Sequence, residues 1–418
     1  MRAVKEQDFF MSSNRSWISR WFIVTVLSML FSLGDASAEG DSLSVDVSDL
    51  SSVEQKLLSE VIDQIRSYRI DPAIATLETI TDQYPKFKLA QLIYADLLMA
   101  KAHAINGFGP LKGHAEEELA GLLDEVRKRW NHYATRPLAR TIPAYFAHLN
   151  GETKYAVLVD LANSRLYLFE NSNGAPALVK DYYISLGKNG ARKDIQGDQR
   201  TPIGVYHITE YLAEAILPDR YGDGAFPLNY PNEWDRRLNK TGYGIWLHGT
   251  PFDTFSRPPR SSDGCVTLSN LDFNELALRI EIVETPVIIT DQPIDWLSLS
   301  AWEERRRILA DVIDGWRIDW ESLENDRYLS HYSEEYHDGK LDYAGWSSRK
   351  RRVNNAKTYV KVQVSDLSIY EYPGEDAMVV VTFAQDYDSS NYRHASKKRQ
   401  YWKRESDGVW RIVFEGPG

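Results

Sequence analysis

Ser262-Asp263-Gly264-Cys265-Val266 holds the only cysteine of the chain, and His248-Gly249 lies upstream at the end of the apolar run Gly244-Ile245-Trp246-Leu247. A single cysteine cannot close an internal disulfide, and an unpaired thiol outside the cytoplasm is open to oxidation. A cysteine in a glycine-containing turn, with a histidine on a preceding strand, supplies the two parts that cysteine acyl transfer needs. One is a thiol nucleophile and the other is a base for its proton. The competing reading is a buried structural cysteine that behaves as a small hydrophobe. A catalytic thiol is expected to react fast near neutral pH, whereas a structural one is not.

Outward from this turn the pattern is that of strands. Tyr155–Asp160 and Arg165–Phe169 read as a hairpin turning at Ala162-Asn163-Ser164. Asp181–Leu186, Gly204–Thr209, Gly244–Leu247, Cys265–Leu268 and Val287–Thr290 read as further strands, with one helix between them, Asn270–Leu278. This is a β-rich domain with little βαβ character. The long Gly/Pro/Tyr/Asn stretch from Tyr211 to Tyr243 reads as a functional lid or substrate wall.

On either side the periodicity changes. Leu57, Leu58, Val61, Ile62, Ile65 and Ile70 recur at helical steps. Asp71-Pro72-Ala73 reads as a helix start, with Asp71 as the cap. The segment from Ala73 to Leu98 is similar to one helical hairpin of tetratricopeptide type, and one hairpin is not an array. Residues 39–150 are therefore expected to form a helical N-terminal domain suited to docking or to homodimer formation. Beyond Trp296, Trp302–Trp320, Leu323–Tyr336 and Tyr343–Val360 read as helices. Tyr359–Leu367, Ala377–Tyr387, Ser396–Arg404 and Gly408–Glu415 read as strands, which gives an α+β cone over residues 296–418. Every element with chemical character lies before residue 291. The tail is thus expected to fold as a separate cone that places substrate or a partner and takes no part in the chemistry.

The chain as a whole, 418 residues, is long enough for two to four domains at about one per 100–200 residues. Its net charge of −11 argues against a nucleic-acid partner. Arg2, Lys5, Arg15 and Arg20, then the apolar run Trp21–Leu33 and Ala36-Ser37-Ala38, read as a signal peptide over residues 1–38, starting at Met1 or Met11. An uncleaved anchor is the alternative, and either reading puts the protein outside the cytoplasm, in the periplasm.

Taken in order, four elements carry a resemblance. They are Ile184-Ser185-Leu186-Gly187-Lys188-Asn189-Gly190, Gly197-Asp198-x-x-Thr201-Pro202-x-Gly204, Ile245-Trp246-Leu247-His248-Gly249 and Ser262-x-Gly264-Cys265-Val266-x-Leu268-x-Asn270. Residues 153–291 so resemble the L,D-transpeptidase catalytic domain of bacterial cell-wall enzymes. The tail resembles nuclear-transport-factor-2-like (NTF2-like) domains, and the three-part layout resembles the cell-shape L,D-carboxypeptidases. The resemblance implies peptidoglycan stem peptides as substrate. It implies Cys265 as nucleophile, His248 as its base, the Gly249 carbonyl as the group that orients His248, and N–H groups at Gly264 and Cys265 as oxyanion donors. Glycine at 264 would leave room for substrate. Asp263 and Thr267 depart from the common pattern, since a histidine or arginine often precedes the Gly-Cys pair and an arginine or asparagine often follows it.

Tyr243, Trp246, Arg260 and Ser262 are the candidate substrate contacts, with Arg260 also placed to offset Asp263 or to hold a carboxylate. A thiol–imidazole pair needs neither metal nor cofactor. His103, His114 and His132 fit no metal-ligand spacing, His207 reads as strand lining, and His331 and His337 read as polar surface. The basic run Arg349-Lys350-Arg351-Arg352 reads as a solvated helix face that could also meet an anionic polymer, and the tail's Trp and Tyr read as cone lining. Besides transpeptidation, two readings stay open: trimming of tetrapeptides to tripeptides by the same thiol, and a wall-binding scaffold without activity.

Overall fold

The computed structural model describes residues 56–67, 69–101, 114–134, 137, 140–172 and 174–418. The leader over residues 1–38 with Ala36-Ser37-Ala38, the start of the helical region and His103 lie outside the described residues. One compact unit ends at Trp130 and a second runs from Asn131 to Gly418.

In the first unit a π-type turn, Lys56–Ile62, leads through Asp63–Arg66 to the helices Ile70–Gln83 and Lys88–Lys101. Ala73, Leu77 and Ile80 recur at helical spacing and are fully buried. The first long helix starts one residue before Asp71, so that Asp71 sits inside the first turn rather than capping it, and its carboxylate accepts from Lys101 at 2.6 Å.

The catalytic region of the second unit is built on a five-stranded sheet. Its order is Ala175–Tyr183, Arg165–Ser172, Tyr155–Asp160, Pro286–Thr290, Gly204–His207. Only the pairing of Tyr155–Asp160 with Pro286–Thr290 is parallel. A smaller sheet runs Val266–Thr267, Trp246–His248, Gly224–Pro227, Leu212–Ala213. Between the two lies a core of Val157, Leu168, Tyr206, Leu247, Val266, Phe273 and Ile289. The stretch from Tyr211 to Tyr243 is not one open loop, because it contributes the strand Gly224–Pro227 and the helix Glu233–Arg237.

The tail carries the helices Leu299–Glu321, Asn325–Leu329 and Tyr343–Asn355 and four long antiparallel strands, Val360–Glu371, Met378–Ser389, Tyr392–Arg404 and Trp410–Pro417. Val379, Val381 and Phe383 face a helix-packed core with Ile313, Trp316, Trp346 and Trp402. Met378 and Val380, on the alternate face, join Leu158, Phe169 and Ile288 of the catalytic sheet in another core.

Two expectations are corrected here. The helical region does not reach residue 150: Ile142–Pro143 pairs with Trp296–Leu297, and Phe146–His148 adds a fifth strand to the tail's sheet beside Val360–Glu371. Nor is the tail a separate cone. The strands of the catalytic sheet are apolar on both faces and need cover on both, and the tail's sheet supplies the second cover.

Candidate active site

The turn bearing Cys265 is fixed by its own serine. Ser262 Oγ donates to the Cys265 carbonyl at 2.6 Å and accepts from the Gly264 N–H at 3.1 Å. Gly264 has a φ of +127°, and a Cβ there would meet the Arg200 carbonyl at 2.9 Å. Glycine at 264 therefore lets the Arg200 backbone approach, rather than leaving room for substrate. Upstream, Arg260–Ser262 runs parallel to Leu186–Gly187, and the Lys188 N–H donates to the Ser262 carbonyl at 2.8 Å. Thr201 Oγ1 accepts from the Gly187 N–H at 2.9 Å. The Asp198 carboxylate accepts from the N–H groups of Asp194, Ile195 and Arg200 and from Lys193 Nζ. Those bonds hold the carboxyl below its usual range even though burial pushes the other way. The Asp198-to-Thr201 element is thus the mount of the cysteine turn.

His248 ends the strand Trp246–His248, which pairs in parallel with Val266–Thr267, His248 opposite Thr267. Its Nδ1 lies 2.6 Å from the Gly249 carbonyl. A carbonyl only accepts, so Nδ1 carries the proton and Nε2 presents a lone pair. Thr267 Oγ1 stands 3.4 Å from Nε2, and Cys265 Sγ donates to the Gly244 carbonyl at 3.4 Å. Thiol and imidazole thus each hold a loose partner of their own at rest. Tyr221, from the 211–243 stretch, stands edge-on to the His248 ring at 5.1 Å and against Trp246 at 4.6 Å, with the Arg220 guanidinium over it at 4.8 Å. Asn270 Oδ1 accepts from the N–H groups of Thr250 and Asp223, which ties this loop to the histidine strand. A Cβ on Gly249 would fall 2.1 Å from that oxygen.

Burial pushes the Cys265 thiol up to about 11, with Asp263 adding to the rise while the Trp246 backbone, Arg257 and Arg220 oppose it. Burial likewise pulls His248 down to about 4, helped by Arg257 and Arg220 and opposed by its bond to Gly249. At neutral pH the pair is therefore thiol and neutral imidazole, not thiolate and imidazolium. The sequence suggests a thiol that reacts fast near pH 7; the partial burial of Cys265 and the charge of Asp263 point the other way. Alkylation of Cys265 by iodoacetamide is expected to be slow at pH 7 and to rise about tenfold per pH unit toward about 11. Turnover, which needs neutral His248, is expected to fall on the acid side near pH 4. A thiol already fully reactive at pH 6 would overturn this assignment.

The structure places the candidate substrate residues in different surroundings. Trp246 is half-buried beside Tyr221, and Tyr243 is 76% exposed. Ser262 is buried and committed to the turn. Arg260 is exposed, and Asp263 is held by Lys188 at 2.9 Å and Gln199 at 3.1 Å instead. The Gly264 N–H is taken by Ser262, while the Cys265 N–H has no hydrogen-bond partner among the described residues. Sequence reasoning missed Arg257, whose guanidinium donates to the Ser261 carbonyl at 2.5 Å and whose charge reaches both Asp263 and Cys265. It missed Tyr221 as well; the only signal for either was position in an irregular stretch rich in Pro, Gly and Tyr. Among the described residues no group of three His, Cys, Asp or Glu could hold a metal ion. His132 is buried against Asp181 at 2.9 Å, and His331 meets Asp319 at 2.8 Å. No helix among the described residues is long and apolar enough to cross a membrane.

Comparison with known proteins fits this geometry. Residues 154–289 match the family model of the L,D-transpeptidase catalytic domain, YkuD, and residues 308–416 match that of the Cds6 C-terminal NTF2-like domain. The structure of Bd1075 from Bdellovibrio bacteriovorus is similar at 30% identity and a TM-score of 0.58, over 66% of this chain and 98% of that one. The helical cell shape determining protein Pgp2 from Campylobacter jejuni is similar at 25% identity and a TM-score of 0.56, over 69% of this chain and 99% of that one. No curated protein matches.

Proposed function

Because the chain belongs to the L,D-transpeptidase catalytic-domain family, in the form that carries a C-terminal NTF2-like domain, we propose that this peptidoglycan-acting enzyme works by a cysteine thioester. The observation that carries this reading is the Nδ1–Gly249 bond, which leaves Nε2 of His248 as a base on the strand next to the Cys265 turn. Cys265 Sγ attacks the carbonyl on the L-centre of the stem peptide's third residue. The thiol proton passes to Nε2 as the S–C bond forms, and the Cys265 N–H faces the oxyanion. The tetrahedral centre collapses, the C–N bond to D-Ala breaks, and the proton on Nε2 goes to the departing amine. An amine acceptor then gives a cross-link, and water gives a tripeptide.

Because thiol and imidazole are both neutral at rest, proton transfer and attack are coupled in one step. This calls for the thiol to turn from the Gly244 carbonyl to Nε2 once substrate is bound. Cys265 is half-buried, so water can reach the thioester, and this favours trimming as the second reading. The leader read in residues 1–38 supports a location outside the cytoplasm, where the wall is, and the likeness to Pgp2 supports a role in cell shape.

The test is incubation with purified tetrapeptide muropeptides and mass analysis of the products. Release of D-Ala with a tripeptide, a cross-linked dimer or both is expected. Intact tetrapeptide after prolonged incubation would instead favour the inactive scaffold.

A further inference from the structure

Two guanidinium groups stand at the thiol–imidazole pair without an anion of their own. Arg257 is half-buried in the loop that leads from the histidine strand to the cysteine turn. Its backbone is fixed, because the hydroxyls of Tyr183 and Ser185 both donate to the Arg257 carbonyl, at 3.0 and 2.9 Å. Its guanidinium donates through Nη2 to the Ser261 carbonyl at 2.5 Å, and its other N–H groups have no acceptor among the described residues. Ser261 Oγ, on the residue that receives it, is buried and without a hydrogen-bond partner too. Asp263 does not pair with Arg257, since Lys188 and Gln199 take its carboxylate.

Arg220 lies in the short turn Asp219–Tyr221 and is exposed, with its guanidinium over the Tyr221 ring whose edge meets His248. Its side chain has neither hydrogen bond nor ion pair among the described residues. The Asp219 carboxylate accepts from the Phe252 N–H at 3.1 Å, which ties this turn to the loop that bears Arg257. Both positive charges reach Cys265 and His248. Two such cations beside a half-buried thiol call for an anion, and a guanidinium fork receives a carboxylate through two parallel bonds that fix its direction. In a stem peptide with its third carbonyl at Cys265 Sγ, the nearest carboxylate is the terminal one, on the residue just beyond the scissile bond. Carboxylates further back in the stem, or out along a side chain, lie farther from both reacting atoms.

We infer that Arg257, assisted by Arg220, receives the terminal carboxylate of the D-residue that leaves, and that this contact selects stems whose fourth residue ends the chain. The inference rests on the stem-peptide reaction proposed above and names the groups that set its specificity. When the C–N bond breaks and the departing amine takes the proton from Nε2, the guanidinium still holds the leaving residue by its other end. A fourth residue capped by an amide, by a fifth residue or by a cross-link brings no anion to the fork and leaves its donors unmatched.

The test compares two stem tetrapeptides that differ only in their last group, one ending in the D-Ala acid and the other in its amide. In the full chain with Cys265→Ala, to stop turnover, titration calorimetry is expected to show the acid bound about tenfold or more tighter, as a charged hydrogen bond supplies. Adding Arg257→Met is expected to reduce that preference to about twofold, chiefly by weakening the acid. Because both peptides are read on the same variant, a general loss of fold would weaken them alike and leave the ratio. Arg257→Lys, which keeps the charge without the fork, should recover part of the preference. Arg220→Met, at an exposed position, should narrow it severalfold and gives the same reading if Arg257→Met does not fold. Equal binding of acid and amide by the parent, no binding of the acid, or a ratio unchanged in the methionine variants would each overturn the assignment. D-Ala release is measured separately with Cys265 intact, so a binding preference without turnover would refute the proposed reaction and leave this assignment standing.

Discussion

Replacing Cys265 with alanine is expected to abolish D-Ala release from tetrapeptide muropeptides, by at least about 10⁴-fold, while the protein stays folded. The size follows from the chemistry: no second thiol exists in the chain, and a covalent mechanism without its nucleophile retains only binding and oxyanion stabilisation. The survival of the fold follows from the turn. Ser262 holds it through the Gly264 N–H and the Cys265 carbonyl, both backbone groups that alanine keeps. The side chain is half-buried, so its loss removes little packing. A thermal midpoint within a few degrees of the parent, with no detectable product, is the expected pair of results. Product formation by the alanine variant near the parental rate would end the thioester mechanism.

His248→Gln is expected to lower turnover by about 10²–10⁴-fold, the usual contribution of a positioned acid–base group. The glutamine amide stands where Nε2 stood, so the substitution removes the base, and the Nδ1 bond to the Gly249 carbonyl with it, while keeping a side chain of similar size. The second readout separates two roles. If the resting pair is neutral, the midpoint of thiol alkylation stays near about 11 in the variant, because no imidazolium was lowering it. An ion-paired thiol would instead lose its stabilising charge, and its midpoint would move upward from a value near neutrality. Unchanged turnover, or a parental midpoint near neutrality that rises in the variant, would reject the neutral-pair reading.

The strands of the catalytic region were readable because their runs of Val, Ile, Leu and Tyr are bounded by turn residues, and each is buried along its length. His248 and Cys265 could be set side by side because a strand end and a glycine turn are local features. What holds them is not local. The Arg200 carbonyl behind Gly264, the Asn270 amide behind Gly249 and the Tyr221 ring beside His248 come from segments 21 to 64 residues away, with no periodicity to mark them. Arg257 was hidden in a loop before Pro258-Pro259, and the more regular Arg260 drew attention instead. The run Arg349-Lys350-Arg351-Arg352 misled for the opposite reason, since four basic residues in a row read as a solvated face. Only the fold shows that Lys350 turns inward over the rings of Trp320 and Trp346, while Arg349 and Arg351 pair outward with Asp338 and Asp326. Phe146–His148 is three residues long, too short to read as a strand without its partner more than 200 residues downstream.

That short strand dictates the order of events during synthesis. Phe146 emerges from the ribosome before any of the catalytic sheet, yet the strand it joins, around Tyr370, and two further members of its core, Tyr401 and Val413, emerge last. Until then Leu158, Tyr167, Phe169 and Ile288 lack the tail's share of their cover on that side and have only earlier neighbours such as Phe146 and Trp296. At about 1.5–3 kcal/mol for each buried side chain, these four approach the 5–15 kcal/mol that holds a whole domain together. The catalytic half is therefore expected to complete its fold only together with the tail, within the one compact unit of residues 131–418. Nested C-terminal truncations should thus be protease-sensitive throughout residues 154–290 until the strand Trp410–Pro417 is present, rather than gaining resistance one domain at a time.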